Sequence, residues 1–378
     1  MVVTKNFIIK VTGVCNLNCS YCYMYNMGDT TFRKKPKVMD CKIAVQTLQR
    51  IYGYATRNNL ENVTLILHGG EPLLAGIDWT KWFLEEAKRL APSNLQVEIC
   101  LQSNGTLLNS KWIDLFKLHN VSFGISIDGP PDIHNRYRVD HEGRGSYNQV
   151  RRAIGSLVDL DKAAPTWGVL VVANPVYSGV SIYKHLLELG VHWMDFLWPD
   201  YHHDILPPWP TGSLARFYKD LFDVWYNDEN PKIKIRWFSH AMKGILSGES
   251  KLDALGPHPL TDVVVETDGS IEPLDVIRTC GNGMTRLGLN VITHNIEDIH
   301  KTELFQMCVR NQELLPEKCL QCPAYKVCGG GYMPHRWSNN RGFKNSSVHC
   351  TELLEVIQHI SNTIQNELKE AQIKFHTG

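Results

Sequence analysis

The chain has 378 residues, of which 43% are hydrophobic, so it can bury a large core as one enlarged domain or as two smaller ones. Its 39 basic and 39 acidic side chains balance to a formal net charge of zero, and neither a nucleic acid nor an anionic membrane is an expected partner. The amino-terminal apolar run is too short for a secretory signal, and no apolar run of about 18 residues follows, so the sequence predicts a cytoplasmic protein.

Six apolar runs alternate with amphipathic stretches along the first half of the chain. The predicted strands are residues 7–12, 62–68, 95–101, 121–127, 166–172 and 193–198. The predicted helices between them are residues 40–57, 78–91, 109–119, 146–160 and 178–189. Nearly continuous apolar strands that alternate with helices are typical of a parallel sheet. The pattern predicts an α/β fold, open or curved as a partial barrel, with its functional residues at the carboxyl ends of the strands.

The pattern changes after the proline-rich segment LPPWP at residues 206–210. Two helices are predicted at 212–227 and 236–247, a hairpin turns at Asp268-Gly269, and a closing helix spans 351–373. We therefore expect a barrel over residues 1–210, a helical connector over 211–255 and a smaller carboxyl-terminal domain over 256–378.

Three cysteines follow the first predicted strand in the segment CNLNCSYC: Cys15, Cys19 and Cys22. Thiolates at this spacing in one loop could hold three corners of a tetrahedral metal site or of an iron–sulfur cube. A structural zinc site normally has four protein ligands, and His68 is the one nearby candidate for the fourth. The spacing favours an iron–sulfur cluster with one open iron over zinc, and either over thiols that bind no metal.

A second group of thiols lies near the end of the chain: Cys319, Cys322, Cys328 and Cys350. Four thiolates are enough to close a metal site, and a zinc ribbon is the alternative to an iron–sulfur cluster. The neighbouring His335 and Arg336 either tune the potential of such a cluster or anchor its loop.

The segment CNLNCSYCY, together with GGEP at residues 69–72, LQSNGTLL and SIDGPPDIHNRYR, resembles the radical S-adenosylmethionine enzymes. The resemblance implies a partial (β/α)6 barrel and a [4Fe–4S] cluster on Cys15, Cys19 and Cys22 whose open iron binds S-adenosylmethionine. An external flavodoxin- or ferredoxin-type reductant would supply one electron, and cleavage would give methionine and a 5′-deoxyadenosyl radical. Taken by itself, GGEP is equally typical of a turn with a proline at the start of a helix.

The same resemblance implies which residues contact the cofactor. The resemblance places Gly69, Gly70, Glu71 and Pro72, which follow the second strand, near the methionine amine. It places Gln102, Asn104 and Ser126 at the ribose and amino-acid parts of the cofactor. The carboxylate would be bound by Arg138 or Arg144, and the sequence leaves that choice open.

The second group of thiols resembles the SPASM or twitch-like domain of radical enzymes that modify peptides. This likeness implies one auxiliary [4Fe–4S] cluster on Cys319, Cys322, Cys328 and Cys350. The two-cluster form of the pattern needs further cysteines, but this chain has Leu274 and Tyr332 at two of those positions. We therefore expect the first auxiliary cluster to be absent, with Cys280 and Cys308 unable to complete it.

Asp275 follows the predicted hairpin. In the related sulfatase-maturing radical enzymes the matching aspartate acts as a general base, so the resemblance implies the same role here. The alternative is a hairpin aspartate that is hydrogen-bonded to nearby backbone.

Four segments most resemble the cyclophane-forming maturases of ribosomal peptides: YCYMYNMGDTTFRKKPKVM, FLWPDYHHD, EPLD and CGGGYMPHRWS. The implied substrate is a precursor peptide, and the implied product carries a carbon–carbon bond between an aromatic ring and the β-carbon of a residue two positions later. Two alternatives stay open, namely a sulfatase-type formylglycine maturase and a non-catalytic metal-binding scaffold that holds a peptide.

Overall fold

The computed structural model describes residues 2–250 and 252–377 and divides into two compact units. The first unit contains the chain up to residue 170, residues 188–191 and residues 259–310. The second unit contains residues 171–187, residues 192–258 and the chain from residue 311 onward. The predicted domain limits at residues 210 and 255 stay a prediction.

The strands are β1 (Asn6–Thr12), β2 (Asn62–Gly69), β3 (Gln96–Ser103), β4 (Ser122–Ser126), β5 (Trp167–Val172), β6 (Trp193–Leu197), β7 (Lys234–Ile235), β8 (Val263–Val265), β9 (Ser270–Glu272) and β10 (Leu289–Asn290). The longer helices are α1 (Cys41–Arg57), α2 (Ile77–Leu90), α3 (Ser110–Leu118), α4 (Pro131–Tyr137), α5 (Tyr147–Val158), α6 (Gly179–Glu188), α7 (Ser213–Asn227) and α8 (Arg236–Ser247). Towards the carboxyl end follow α9 (Glu303–Val309), α10 (Glu317–Leu320), α11 (Tyr325–Cys328) and α12 (Cys350–Thr377).

The first unit is built on parallel strands. β1 pairs with β2, β2 with β3, β3 with β4, and β4 with the start of β5, all in parallel. On the other side of β1 lies β8, also parallel, followed by the antiparallel strands β9 and β10. The predicted α/β fold with a parallel sheet is therefore confirmed, and the predicted hairpin at Asp268-Gly269 is formed by β8 and β9.

Apolar side chains and local caps explain the first unit. Phe7, Ile9 and Val11, on one face of β1, are at most 1% exposed, and Lys10 and Thr12 on the other face are fully buried, so the strand is covered on both faces. Helix α1 begins after Asp40, whose carboxylate accepts a hydrogen bond from the backbone of Lys42 at 2.8 Å. The short helix α4 is not among the predicted elements, since Ile133 is the one aliphatic residue in it.

The second unit buries a group of aromatic rings. The rings of Trp198 and Tyr218 stack at a centroid distance of 4.5 Å, and Trp237 packs against both. The Tyr218 hydroxyl donates to the backbone carbonyl of Phe196 in β6 at 2.9 Å, which ties α7 to that strand. Such ring pairs add roughly 0.5–1.5 kcal/mol each beyond the area that they bury. Within the residues that the structure describes, no helix combines the length and the apolar character needed to cross a membrane.

Candidate active site

The ends of β1 and β2 are joined by backbone hydrogen bonds in the first unit. Gly70 donates to the carbonyl of Thr12 at 3.1 Å, and the backbone N–H of Glu71 donates to the carbonyl of Val14 at 2.9 Å. A β-carbon on Gly70 would lie 2.1 Å from that same Val14 oxygen and 2.1 Å from the hydroxyl of Tyr25. Glycine is therefore required at this position, because the cysteine loop passes directly over the backbone there.

The three thiols of the cysteine loop lie within one another's electrostatic influence. Burial raises the pKa of Cys15 to about 12 and that of Cys19 to about 11, and each value also responds to the charge of Cys22. The sulfur of Cys15 accepts from the backbone of Leu17 at 3.4 Å and from the Asn104 amide at 3.6 Å. Binding a metal here therefore displaces thiol protons, as metal–thiolate chemistry requires.

The donor set fits an iron–sulfur cube. Across residues 2–250 and 252–377, no three His, Cys, Asp or Glu side chains are arranged to hold a metal ion. A single ion draws its ligands to one point, whereas a four-iron cube holds each thiolate on a different iron atom. Three soft thiol donors gathered in one loop suit iron of this kind.

Glu71 is a fully buried carboxylate that connects the ends of β2 and β3. Its Oε1 accepts from Ser103 Oγ at 2.8 Å and from the backbone of Leu73 at 3.1 Å, while Oε2 accepts from the backbone of Asn104 at 2.7 Å. Burial raises the pKa of Glu71 to about 7 in spite of these donors. A carboxylate offers about four acceptor positions, so the group retains capacity for a cation.

Pro72 has the place that the turn interpretation of GGEP predicts. It is the first residue of a short 3₁₀ helix, Pro72–Ala75, and the side chain of Glu71 caps this helix through Leu73. Gly69, which precedes this segment, has a φ of 141°, a backbone conformation that favours glycine. The turn geometry and the cofactor role implied by the resemblance are therefore compatible in one segment.

The remaining polar residues that the resemblance assigns to cofactor binding, Gln102, Asn104 and Ser126, each form a side-chain hydrogen bond. Gln102 donates from its amide to the hydroxyl of Ser126 at 2.9 Å. Asn104 donates to the side-chain oxygen of Asn16 at 2.9 Å, which brings it to the cysteine loop. All of these residues lie at or just beyond the carboxyl ends of their strands, as the parallel sheet predicts.

The structure separates the two candidate arginines. Arg138 is 8% exposed, and its Nε donates to Asp128 Oδ2 at 3.1 Å while its guanidinium lies 5.5 Å from the centre of the Tyr21 ring. Its positive charge also lowers the pKa of Cys19, although burial raises that pKa overall. Arg144 instead has a side chain that is 71% exposed and pairs with Asp140 at 2.7 Å. Arg138 is thus brought to the cysteine loop, and Arg144 lies on the surface.

Asp275 lies in a buried group of polar side chains that includes a residue that the sequence analysis did not single out. Lys10 is fully buried, pairs with Asp275 Oδ2, and lies 3.1 Å from both the hydroxyl of Tyr23 and Nδ1 of His68. Tyr23 also donates to Asp275 Oδ2, at 2.7 Å. The signal that could have identified Lys10 is a single charge within the apolar strand NFIIKV.

The charges of this group explain its protonation. Burial acts to raise the pKa of Asp275, but the Lys10 ammonium, with contributions from His68 and Arg278, holds that pKa well below its usual range. Burial and Lys10 together lower the pKa of His68 to about 3, so its imidazole is neutral at physiological pH. The carboxylate of Asp275 is therefore ionised, and Lys10 is its counter-charge.

A buried ion network holds the hairpin that precedes Asp275. The guanidinium of Arg278 lies 2.7 Å from Glu266, 3.3 Å from Glu272 and 3.4 Å from Asp29, and all four side chains are at most 3% exposed. Leu274, at the position where the two-cluster pattern has a cysteine, is 3% exposed. Arg278 thus joins the hairpin carboxylates of Glu266 and Glu272 to Asp29, in the segment that follows the cysteine loop.

The second unit brings the other four thiols together. Each of Cys319 and Cys328 responds to the charge of Cys350, and Cys319 also responds to Cys322. Burial raises the pKa of Cys328 to about 12. Cys350 is the first residue of α12, and Cys322 donates from its backbone to the carbonyl of Cys319 at 3.2 Å. The donor set, four thiols within one unit, fits a closed iron–sulfur cluster, which binds each thiolate at a different iron atom.

Comparison with known proteins gives related matches at the levels of family, sequence and structure. Residues 9–175 match the model of the Radical SAM superfamily. A cysteine-type anaerobic sulfatase-maturating enzyme of Clostridium perfringens is 27% identical over 362 residues, covering 91% of this chain and 93% of that protein. A serine-type anaerobic sulfatase-maturating enzyme of Klebsiella aerogenes is 32% identical over 343 residues, covering 87% and 80%.

Solved structures match along nearly the whole chain. Native anSMEcpe with bound AdoMet has a TM-score of 0.83 and 25% identity, over 96% of this chain and 98% of that one. Streptococcus suis SuiB bound to the precursor peptide SuiA has a TM-score of 0.59 and 14% identity, over 91% and 75%. The second match concerns the fold alone.

Proposed function

Since the chain belongs to the radical S-adenosylmethionine superfamily of enzymes, we propose that it acts on a precursor peptide and crosslinks an aromatic ring to the β-carbon of a residue two positions later. The relatives are named as enzymes that mature sulfatases, which are themselves proteins, and this supports a peptide substrate. The observation that carries the proposal is an ionised, buried carboxylate, Asp275, in the same unit as a loop of three thiols.

The cofactor would be held by the carboxyl ends of the parallel strands. Cys15, Cys19 and Cys22 would hold a [4Fe–4S] cluster, and S-adenosylmethionine bound beside its reduced form supplies a radical that abstracts a hydrogen atom. Glu71 would accept the methionine ammonium and Arg138 the carboxylate, because each is a buried charge of the complementary sign. The remaining contacts would come from Gly69, Gly70, Pro72, Gln102, Asn104 and Ser126. An external one-electron donor would be needed.

Asp275 would take the proton that the crosslink releases. Abstraction of a hydrogen atom from the β-carbon leaves a carbon radical, which adds to the ring. The ring would then regain its aromaticity by losing one proton to Asp275 and one electron to the auxiliary iron–sulfur cluster, so the peptide loses two hydrogens in total. That ring proton is strongly acidic, and an ionised carboxylate accepts it even though its own pKa is low. Lys10 and Tyr23 both contact Oδ2, so Oδ1 is the oxygen available for the proton.

The carboxyl-terminal thiols would hold one auxiliary [4Fe–4S] cluster. Its ligands would be Cys319, Cys322, Cys328 and Cys350, and the first auxiliary cluster would be absent. The charge network of Arg278 supports this, because it supplies to the hairpin the cohesion that a cluster would otherwise give. Leu274 in place of a cysteine supports it further.

Formylglycine formation is the second candidate. It is favoured by the sulfatase-maturating relatives, which align with nearly the whole chain. The same radical would abstract a hydrogen from a Cys or Ser side chain of the peptide, Asp275 would again accept a proton, and the auxiliary cluster would accept the remaining electron. Ser would give the aldehyde directly, and the thioaldehyde formed from Cys would be hydrolysed by water with release of sulfide. The departures from the two-cluster pattern at Leu274 and Tyr332 favour crosslinking.

The proposal expects a short open reading frame beside the gene, and co-expression with the peptide that it encodes, followed by mass spectrometry, tests the proposal. The crosslinking reaction predicts a loss of two hydrogens per site, located by fragmentation between an aromatic ring and a β-carbon. A peptide aldehyde that reacts with a hydrazide would instead establish formylglycine. An enzyme that produces 5′-deoxyadenosine but leaves every such peptide unchanged contradicts the peptide substrate, and an unmodified peptide without 5′-deoxyadenosine favours the scaffold.

A further inference from the structure

Arg336 is a buried cation without a carboxylate partner in the described part of the second unit. Its side chain is 1% exposed, and every hydrogen bond that it donates ends on a backbone carbonyl. The distances are 3.1 Å to Gly330 and Asn311, 2.9 Å to Gly329 and 2.6 Å to Gly331. A guanidinium with five N–H donors is thereby satisfied in hydrogen bonding but not in charge.

The turn that Arg336 contacts follows Cys328 directly. Its three glycines have positive φ angles of 59°, 84° and 71°, a run that turns their carbonyl groups toward one guanidinium. A β-carbon on Gly330 would lie 2.3 Å from the side chain of Leu315, so the turn is also closely packed. The guanidinium of Arg336 and the glycine turn after Cys328 are therefore packed directly against each other.

The opposite charge must come from the thiols. The ionisable groups that act electrostatically on Arg336 are Cys328, Cys319 and Tyr325. Burial lowers the pKa of Arg336 to about 10, so the group is still positively charged at neutral pH. Cys328 contributes most, and both cysteines belong to the proposed ligand set of the auxiliary cluster. In the metal-free site the thiols are protonated, so they give the guanidinium no negative partner. When the thiols bind iron they become thiolates, and these carry the missing negative charge.

We propose that Arg336 is the internal counter-charge of the thiolate group formed by Cys319, Cys322, Cys328 and Cys350, and that it raises the reduction potential of the cluster bound there. This rests on the auxiliary cluster of the proposed function. A fixed positive charge in a water-poor site favours the state with the extra electron. Arg336 thus affects the reaction only through the effect of its charge on the reduction potential of the cluster.

Full-length protein with Cys15, Cys19 and Cys22 replaced by alanine isolates the second site for measurement. In this background, Arg336→Gln is compared with Arg336→Lys and with Lys326→Gln. Lys326 is the matched control, because it is exposed and only two residues from Cys328, so water screens its charge. Iron content and a redox titration followed by electron paramagnetic resonance are the readouts.

The proposal expects Arg336→Gln to shift the one-electron equilibrium at least tenfold toward the oxidised cluster, which is 59 mV to more negative potential. Lys326→Gln should leave the potential unchanged, and Arg336→Lys should lie close to the parent. Loss of iron from Arg336→Gln with retention in Arg336→Lys also supports a counter-charge. Equal potentials in Arg336→Gln and Lys326→Gln overturn the inference, as does equal loss of iron from both Arg336 variants. Absence of iron from the background protein itself refutes the auxiliary cluster.

Discussion

Replacing Lys10 by methionine removes the counter-charge of Asp275 while keeping a side chain of similar length. The side chains of the pair are 0% and 5% exposed, so water cannot compensate the carboxylate. Breaking a buried ion pair by removing one partner typically costs about 3–5 kcal/mol of folding free energy. We expect Lys10→Met to lose stability in this range near neutral pH.

The pH dependence of that loss follows from the charges. In the wild type the pKa of Asp275 is held below its usual range, so its stabilising ionisation is present at neutral pH and is lost only in strong acid. Without Lys10, burial raises the pKa of Asp275, and mild acid protonates the carboxylate. Protonation removes the uncompensated charge, so the deficit of Lys10→Met should narrow as the pH falls.

Urea unfolding of the metal-free protein, followed by circular dichroism from about pH 5 to about pH 9, measures the effect. Lys5→Met is the matched control, because Lys5 precedes the same strand and is exposed. The double variant Lys10→Met/Asp275→Asn should recover part of the loss, since both charges are gone. A Lys10→Met protein as stable as Lys5→Met, or a deficit that grows toward acid pH, would refute the reasoning.

Three further changes give separate tests. Gly70→Ala should destabilise the first unit and prevent iron loading, because its β-carbon would meet two oxygens at 2.1 Å. Gly155→Ala in α5 is the control and should be tolerated, because its β-carbon meets nothing within 4 Å. Urea unfolding and iron analysis of both variants test this. Glu71 has a pKa raised to about 7, so its own contribution to stability should fall by about 3 kcal/mol as the pH rises from below 4.5 through 7. The difference in unfolding free energy between the wild type and Glu71→Gln isolates this contribution, because the opposite effect of the buried neutral His68 is present in both proteins. Arg138→Gln should weaken S-adenosylmethionine binding at least tenfold in equilibrium dialysis of the reconstituted protein, while Arg144→Gln should leave the affinity unchanged. Equal affinities of the two variants would contradict the assignment of the carboxylate to Arg138.

Much of the fold follows from local patterns in the sequence. The apolar runs locate β1 to β6 and the periodic stretches locate α1 to α3, since each pattern depends on residues close in the chain. The thiol spacing of Cys15, Cys19 and Cys22 is equally local. The helix α4 escapes prediction because its single aliphatic residue gives no periodicity.

Site residues could be predicted where they belong to one recognisable sequence segment, but contacts between residues of different segments could not. Arg138 and Arg144 are both basic residues in one polar segment, and what distinguishes them is Asp128, which buries one of them in an ion pair. Lys10 and Asp275 are 265 positions apart, so no local pattern links them. Contacts between distant residues are set by the packing of the sheet and are visible only in three dimensions.

The most direct test of the central claim is the release of 5′-deoxyadenosine by anaerobically reconstituted protein that is given reductant and S-adenosylmethionine. Cys19→Ala removes one of the three proposed cluster ligands, and Cys41→Ala removes an exposed thiol as the control. The account predicts 5′-deoxyadenosine from the wild type and Cys41→Ala and none from Cys19→Ala. Equal release from Cys19→Ala, or no release from the wild type, would contradict it.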